Sequence, residues 1–468
     1  MNNRYQKLAS DTLMLGLGTF GSKLLVFLLM PFYTAMLSTS QYSTAELITS
    51  TANLIIPLAC VGISNGIFRF AAEREADKRA VFSSSLTLLG MGSGAFLLLS
   101  PLLCLIPYFD GYTWLIALYV ISANVHAVCA QYVRAIDRPK LFALQGILNT
   151  LLTVLFNIVF LAVWDMGVLG YVLSVILGNF LTAGFLTVTA RLWTVFSLAK
   201  VQKPLMGELL RFSLPMIPTT ICWLITDLSD RYLVTYYCGN AINGVYSAAY
   251  KIPTIVNLVS GIFMQAWQFS AVAESSDEEQ CKSFYSEVFG GFLSVIFIGA
   301  GGLILLSQIL TVMLLNETYA GAAFYMPTLI LAAAVEAVVS FLATVYMVKK
   351  KSMHSFVTAI SGATLNIILN FIMIPGMGAI GAAVATLASY GLVFLLRMVD
   401  VQRMIRFRLY LPRLCASLVI LATSCAIMTT RPDGWIWIEL LLTAAVCAIN
   451  APSLLRSMLG VLRRRRGR

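Results

Sequence analysis

Long apolar runs follow one another along the whole chain and decide what it can fold into. Each run has about 20 to 28 residues, the length that an α-helix needs to cross a hydrocarbon core of about 30 Å. Only 11% of the 468 residues are charged, whereas soluble domains contain about 25%. Barrel strands would alternate in polarity over about 10 residues, and the apolar runs do not. The pattern therefore predicts an all-α integral membrane protein.

We expect about 14 membrane-spanning helices from the number of apolar runs. The first run, Ser10 to Leu37, is longer than the apolar core of a signal peptide, roughly 7–15 residues. We therefore interpret it as a span and not as a cleaved signal. The predicted spans are approximately 9–36, 42–68, 80–106, 112–134, 140–163, 166–190, 207–237, 241–272, 283–307, 320–347, 352–374, 377–399, 411–430 and 434–455.

The basic residues predict the orientation of the chain. Of the 32 Lys and Arg residues, 28 fall at the two termini and in alternate loops, Arg397 included. Cytoplasmic loops are enriched in Lys and Arg, so we expect a multi-pass protein of the plasma (cytoplasmic) membrane with both termini in the cytoplasm. The net charge of +11 then reflects topology, and we expect no nucleic acid partner. The run Arg463–Arg466 follows a span directly, which favours contact with anionic lipid.

Two copies of one motif indicate an internal repeat. Met166–Gly170 (MGVLG) corresponds to Met377–Gly381 (MGAIG), and each opens the last span of a six-span unit. The stretch from Arg211 to Glu274 also resembles the N-terminal segment. Spans one and seven both start from the cytoplasmic side, so the two units are predicted to be parallel repeats with a substrate site between them. The predicted domains are a six-helix bundle (1–200), a second six-helix bundle (201–408), and two additional helices with a basic tail (409–468).

Charged side chains inside the predicted spans mark the candidate site. At a rise of 1.5 Å per residue, Lys23 lies roughly 20 Å from the inner end of span one. Lys251 lies roughly 15 Å below the outer end of span eight, and Arg231 lies roughly 9 Å below the outer end of span seven. Charges at this depth are costly unless they face a water-filled cavity or pair with one another. We predict these three cations as substrate-binding residues. The acidic residues inside spans are Glu46, Asp227, Asp230 and Glu336, predicted as ion-coupling groups or structural partners.

The same charges also have a purely structural interpretation. Asp227 and Arg231 are four residues apart and share a helix face, so Asp227 or Asp230 would neutralise Arg231. Lys23 and Lys251 would reach the interface or pair with Glu46.

Prolines occur in the first two spans of each half, at Pro31, Pro57, Pro215, Pro218 and Pro253. Proline removes an intrahelical hydrogen bond and kinks a helix, and bent spans would allow the two halves to rock. Proline and glycine are also commoner in membrane helices in general, so both interpretations stay open.

Motifs for enzymatic chemistry are missing from the sequence. The loops are too short to hold an enzyme, and the glycine-rich segment Gly299–Gly302 lacks the lysine of a phosphate-binding loop. The nine cysteines have no metal-type spacing. We therefore expect no catalytic residue, no metal and no cofactor.

Three segments carry a family resemblance. Asn243–Lys251 (NGVYSAAYK) opens span eight, Asn316–Gly321 (NETYAG) precedes span ten, and the MGxxG motif occurs twice. With two six-span halves and two extra spans, the chain resembles the polysaccharide-transporter branch of the multidrug/oligosaccharidyl-lipid/polysaccharide exporter superfamily, which includes the O-antigen-type flippases. In Gln41–Glu46 (QYSTAE) a serine stands where that family commonly has glycine.

The resemblance implies that the chain is not an enzyme but a flippase, which moves a polyprenyl-diphosphate-linked oligosaccharide to the outer leaflet by alternating access. A polysaccharide polymerase or glycosyltransferases would be protein partners. The membrane potential is one possible energy source, because outward movement of one negative charge across an inside-negative membrane gains about 2.3 kcal/mol per 100 mV. Antiport of H⁺ or Na⁺ is the other. The alternative function is a cation-coupled multidrug or other small-molecule antiporter of the same superfamily, whose site should be acidic and aromatic.

Overall fold

The computed structural model describes residues 29–71, 77–105, 111–136, 138–214, 217–273, 278–349 and 351–466. Every regular element in these ranges is helical, which confirms the all-α prediction. The helices are α1 (Met30–Met36), α2 (Thr39–Ala59), α3 (Ile63–Ala71), α4 (Lys78–Leu99), α5 (Thr113–Ala135), α6 (Pro139–Asn157), α7 (Gly167–Thr189), α8 (Leu192–Val195), α9 (Lys203–Ser213), α10 (Ile217–Cys238), α11 (Asn240–Ala249), α12 (Thr254–Ala273), α13 (Glu278–Leu314), α14 (Ala322–Val348), α15 (Ser352–Met377), α16 (Ala379–Met404), α17 (Leu411–Thr430) and α18 (Trp435–Arg466).

Ten helices in the described ranges are long and apolar enough to cross a membrane, namely α4 to α7 and α13 to α18. Three other predicted spans are each divided between two helices: 42–68 between α2 and α3, 207–237 between α9 and α10, and 241–272 between α11 and α12. Most of the predicted span 9–36 lies outside the described residues. The membrane-protein prediction is confirmed, and the number of about 14 spans stays a prediction.

Two predicted spans are interrupted near their middle, beside a proline. α2 ends two residues after Pro57, and the chain turns through Val61 and Gly62, both with positive φ, before α3 begins. α11 ends at Ala249, and α12 begins directly after Pro253. Irregular backbone at membrane depth is tolerated where it is buried in protein or lines a cavity, so these interruptions mark places where such a cavity can form.

The chain forms two compact units, Met1–Leu228 and Ser229–Arg468, whose boundary falls within α10. In the first unit, α7 packs against α5 and α6, and α9 packs against α3. In the second unit, α16 packs against α14 and α15, while α13 packs against α18. The predicted domain limits at residues 200 and 408 stay predictions.

The first glycine of the repeated motif has positive φ in each unit. Gly167 has φ +53° and Gly378 has φ +70°, values that glycine adopts without steric cost. The second glycine allows close packing on the preceding helix. A Cβ on Gly170 would lie 2.9 Å from the Cβ of Phe160, and one on Gly381 would lie 2.7 Å from a backbone carbonyl oxygen. The two copies of the motif therefore share a glycine with positive φ and a glycine that permits a close contact.

The assignment of Arg397 to a loop was wrong. This arginine lies within α16 and is only 1% exposed. Its Nε donates to Thr358 Oγ1 at 3.0 Å, and its Nη1 donates to the carbonyl oxygen of Val339 at 2.9 Å. Charge counting missed this because a buried arginine near a helix end has the same sequence signature as a loop arginine.

Candidate functional site

Asp230 is the centre of a buried polar cluster in the second unit. The side chain lies on α10 and is fully buried. Its Oδ1 accepts hydrogen bonds from Asn370 Nδ2 at 2.6 Å and Asn366 Nδ2 at 3.2 Å. Its Oδ2 accepts from Thr386 Oγ1 at 2.5 Å and the Tyr246 hydroxyl at 3.3 Å. A carboxylate has about four lone-pair positions, so neutral donors can occupy all of them.

The asparagine pair supplies most of this arrangement. Asn366 and Asn370 are four residues apart on α15 and therefore share one helix face. Asn366 Oδ1 accepts from Ser229 Oγ at 2.8 Å and from Asn370 Nδ2 at 3.1 Å. Asn370 Oδ1 is buried and has no hydrogen-bond partner in the described part of the chain. The cluster thus brings together carboxylate, amide and hydroxyl oxygens, the ligands that hard cations prefer.

The two predicted cations of the second unit flank this cluster. Tyr250 places its hydroxyl 3.5 Å from Asp230 Oδ2, and the Arg231 guanidinium carbon lies 5.8 Å from the centre of the Tyr250 ring. That separation is within the range of a cation–π contact. Lys251 follows Tyr250 directly, in the interruption between α11 and α12. Arg231 and Lys251 are both half-buried.

Glu336 lies on α14, in the same unit, and is half-buried. Its Oε2 accepts a hydrogen bond of 3.1 Å from Asn257 Nδ2 on α12. Because Glu336 is only half-buried, its side chain is partly accessible. Its role in ion coupling stays a prediction.

Glu46 lies in a different environment, in the first unit. It is 3% exposed on α2 and accepts a hydrogen bond of 3.3 Å from the Tyr171 hydroxyl. The Tyr171 ring packs edge-to-face against Tyr33, with 5.1 Å between ring centres, and against Tyr42, with 6.4 Å. This group is acidic and aromatic, and it lacks the asparagine pair found beside Asp230.

Two predicted site residues receive no structural description. Lys23 lies outside the described residues, and for Asp227 only the backbone, within α10, is described. Their predicted roles remain predictions. Across the described ranges, no group of three or more His, Cys, Asp or Glu side chains is arranged to hold a metal ion.

Sequence reasoning overlooked one buried acid and the partners of another. Glu439 on α18 is fully buried, with the side chain of Ser424 on α17 beside its carboxyl group. A single glutamate near the start of the apolar run 434–455 was the available signal. For the Asp230 cluster, the signal was the pair Asn366 and Asn370 within an otherwise apolar span.

Comparison with known proteins gives a family match and a fold match. A family model described as "Polysaccharide biosynthesis protein" matches residues 8–268, more than half of the 468 residues. No curated protein matches the sequence. The structure of a lipid II flippase MurJ in an inward closed conformation is similar, with a TM-score of 0.73 and 15% identity over 96% of this chain and 100% of that one.

Two further solved structures extend the fold match. An inward-facing multidrug resistance MATE family transporter of the MOP superfamily has a TM-score of 0.68 and 14% identity over 82% of this chain and 95% of that one. A MOP superfamily transporter from Pyrococcus furiosus, described by the reverse polarity of its binding pocket, has a TM-score of 0.62 and 12% identity over 84% of this chain and 96% of that one. At such identities the likeness establishes the fold.

Proposed function

The chain belongs to the polysaccharide biosynthesis protein family, and on that premise we propose that it is a membrane flippase. Its cargo is a polyprenyl-diphosphate-linked oligosaccharide, carried from the inner to the outer leaflet by alternating access. The MurJ structure is that of a lipid II flippase, so one relative with this fold handles a cargo of related chemistry. A fold alone does not determine function, and the proposal therefore depends on the site.

The observation that carries the proposal is the position of Arg231 and Lys251 beside an interrupted span. Guanidinium groups bind phosphate oxygens through a planar pair of donors, and lysine contributes a point charge. Discontinuous helices form the substrate sites of many transporters. Neutral donors contact both oxygens of the neighbouring Asp230 carboxylate. These two cations are the proposed ligands of the diphosphate.

The Asp230 cluster is the proposed site of the coupling cation. Asp230 is its only carboxylate among the described side chains, and its other oxygens belong to amides and hydroxyls that do not titrate in the physiological range. The cation we propose is Na⁺, because hard cations prefer oxygen ligands of this kind. Outward movement of the diphosphate charge down the membrane potential would add to the driving force.

A second candidate function is supported by the group around Glu46. A buried carboxylate surrounded by Tyr33, Tyr42 and Tyr171 suits an organic cation, since aromatic faces and a negative charge both attract cations. The protein would then be a cation-coupled antiporter for drugs or other small molecules.

Reconstitution in liposomes distinguishes the two functions. A fluorescent polyprenyl-diphosphate saccharide and a fluorescent organic cation are tested in parallel, with protein-free liposomes as the baseline. The flippase proposal predicts that the lipid becomes accessible to a membrane-impermeant quencher on the far side, while the organic cation stays at baseline. Movement of the organic cation alone would establish the second candidate instead.

A further inference from the structure

The segment that joins α16 to α17 has an alternating pattern of burial. Ile405, Phe407 and Leu409 are 3%, 5% and 8% exposed, whereas Arg406 and Arg408 between them are exposed. Successive side chains of an extended backbone point to opposite faces. The two arginines therefore share one face, and the three apolar residues share the other.

The apolar face holds this segment in a fixed position on α13. The Phe407 ring centre lies 5.5 Å from those of Tyr285 and Phe289. The backbone N–H of Arg408 donates to Ser286 Oγ at 2.9 Å. The arginines thus extend from an anchored support and not from a free loop.

The arginine face lines a cavity of about 930 Å³ within the second unit. This volume is in the range of small-ligand sites, about 300–1,000 Å³. The basic residues that line the cavity outnumber the acidic ones; they are Lys282, Arg406, Arg408 and Arg413, against Glu279 and Glu287. Glu279 pairs with Lys282 at 3.6 Å. Among the described residues, neither Arg406 nor Arg408 takes part in an ion pair.

Arg413, in the first turn of α17, supplies a further donor on the cavity wall. Its Nη2 donates to the carbonyl oxygen of Gly290 at 2.8 Å, and its guanidinium carbon lies 4.8 Å from the centre of the Tyr410 ring. Its Nε is buried and has no partner in the described part of the chain. A buried donor of a charged group that is left unsatisfied is costly, and Arg413 is held on the cavity wall with this donor unused.

The cavity lies at the level where three apolar helices begin or end. α16 ends at Met404, the span of α17 begins at Leu411, and that of α18 ends at Leu455. Ile449 and Pro452 contribute apolar lining. The loop charges assign this side to the cytoplasm, and basic pockets between membrane helices on that side suit anionic lipid head groups.

We propose that this cavity binds the phosphate group of an anionic phospholipid from the cytoplasmic leaflet, with Arg406, Arg408 and Arg413 as hydrogen-bond donors. Planar guanidinium groups match the geometry of phosphate oxygens. The lipid would act as a bound structural ligand, and the site does not depend on which cargo the protein carries.

Thermal unfolding of the purified full-length protein in a mild detergent tests the proposal. Phosphatidylglycerol is titrated into the wild type, R406Q/R408Q and R403Q/K351Q. The last variant removes two exposed basic residues that do not line the cavity. We expect a saturable rise in Tm for the wild type and R403Q/K351Q, and at least a tenfold weaker apparent affinity for R406Q/R408Q. Because all four residues are exposed, both variants should unfold near the wild-type temperature without lipid.

Parallel titrations identify the ligand. Phosphatidylcholine should give little stabilisation, and soluble glycerol phosphate should not saturate in the same concentration range. An equal loss of apparent affinity in both double variants would show that diffuse surface charge attracts the lipid, and it would overturn the proposal. Equal stabilisation by phosphatidylcholine would also overturn it, and saturation by glycerol phosphate would assign the cavity to a soluble anion instead.

Discussion

Asn370 on α15 donates a hydrogen bond of 2.6 Å to the Asp230 carboxylate on α10. The two residues are 140 positions apart in the sequence. Asn370 is one of several neutral donors around this fully buried carboxylate. The carboxylate therefore has satisfied oxygens and a fixed position without an ion pair being required. For the proposed coupling cation to bind, one of these donors would have to release a carboxylate oxygen.

The first prediction concerns sodium binding at Asp230. A ligand that binds only the folded state stabilises it by RT ln(1 + [L]/Kd), about 2.7 kcal/mol at 100 times Kd. We expect the Tm of the wild type to rise when N-methylglucamine is replaced by Na⁺ at constant ionic strength, and this rise to be absent in Asp230→Asn. Changes to groups around a bound metal typically cost about 10–100-fold in affinity, so transport should fall at least that far.

Asp400→Asn is the matched control for this experiment. Asp400 lies in the same unit and hydrogen-bonds His354 Nδ1 at 2.8 Å, away from the Asp230 contacts. Its sodium response should equal that of the wild type. If the Tm of the wild type does not rise with Na⁺, Asp230 is not a sodium site. The proton or the membrane potential would then be the energy source.

The second prediction concerns Arg397. Its guanidinium links α16 to the backbone of α14 and to the Thr358 side chain. Hydrogen bonds from charged groups contribute about 1.5–3 kcal/mol each, so Arg397→Ala should lower the free energy of unfolding by about 3 kcal/mol or more. Arg397→Lys should recover only part of this, because lysine lacks the planar fork. Thermal unfolding in detergent measures both, and Arg403→Gln, exposed on the same helix, is the control. Equal Tm values for Arg397→Ala and Arg403→Gln would show that these contacts do not stabilise the fold.

The third prediction tests the glycine motif. A Cβ at Gly381 would lie 2.7 Å from a carbonyl oxygen, whereas one at Gly391 on the same helix would meet nothing within 4 Å. Overpacking of this kind costs about 1–3 kcal/mol. Gly381→Ala should therefore lower the Tm and the yield of monodisperse protein, while Gly391→Ala should leave both unchanged. Wild-type behaviour of Gly381→Ala would mean that α16 can move away from α15 at no cost.

The fourth prediction concerns pH and the start of α4. Asp77 accepts hydrogen bonds from the backbone N–H groups of Ala80 and Arg79, and these bonds, together with Lys200, lower its pKa below the ordinary 3.8. A lowered pKa contributes stability that is complete above the ordinary value and is lost as the pH falls through the lowered one. Removal of such a helix cap costs about 1 kcal/mol, and the exposed contact with Lys200 adds little.

The measurement is the difference in Tm between the wild type and Asp77→Ala as a function of pH. This difference should be constant near neutral pH and should shrink as the pH falls below 3.8. Asp77→Asn keeps a capping side chain and should lie close to the wild type at neutral pH. A difference that grows on acidification would contradict the assigned sign.

The sequence predicts the helical membrane fold because helix length and hydropathy are local properties. The sequence also indicates Arg231, Lys251 and Asp230 as candidate site residues, because a charge inside an apolar run is costly unless it faces a cavity or has a partner. The contacts of Asp230 with Asn366 and Thr386 could not be predicted from the sequence, since they join residues 136 and 156 positions apart. Arg397 was misassigned for a related reason, because burial of a residue near a helix end depends on tertiary packing.

The most direct test of the account is flipping of a polyprenyl-diphosphate-linked saccharide by the wild type and by Arg231→Ala in matched proteoliposomes. Arg403→Ala is the control, since this exposed cation lies outside the candidate site and does not line the cavity of Arg406 and Arg408. The account predicts transport by the wild type and by Arg403→Ala, and a loss of at least tenfold in Arg231→Ala with an unchanged Tm. Wild-type flipping by Arg231→Ala would contradict the cationic site, and the absence of flipping by all three proteins while an organic cation is transported would contradict the proposed function.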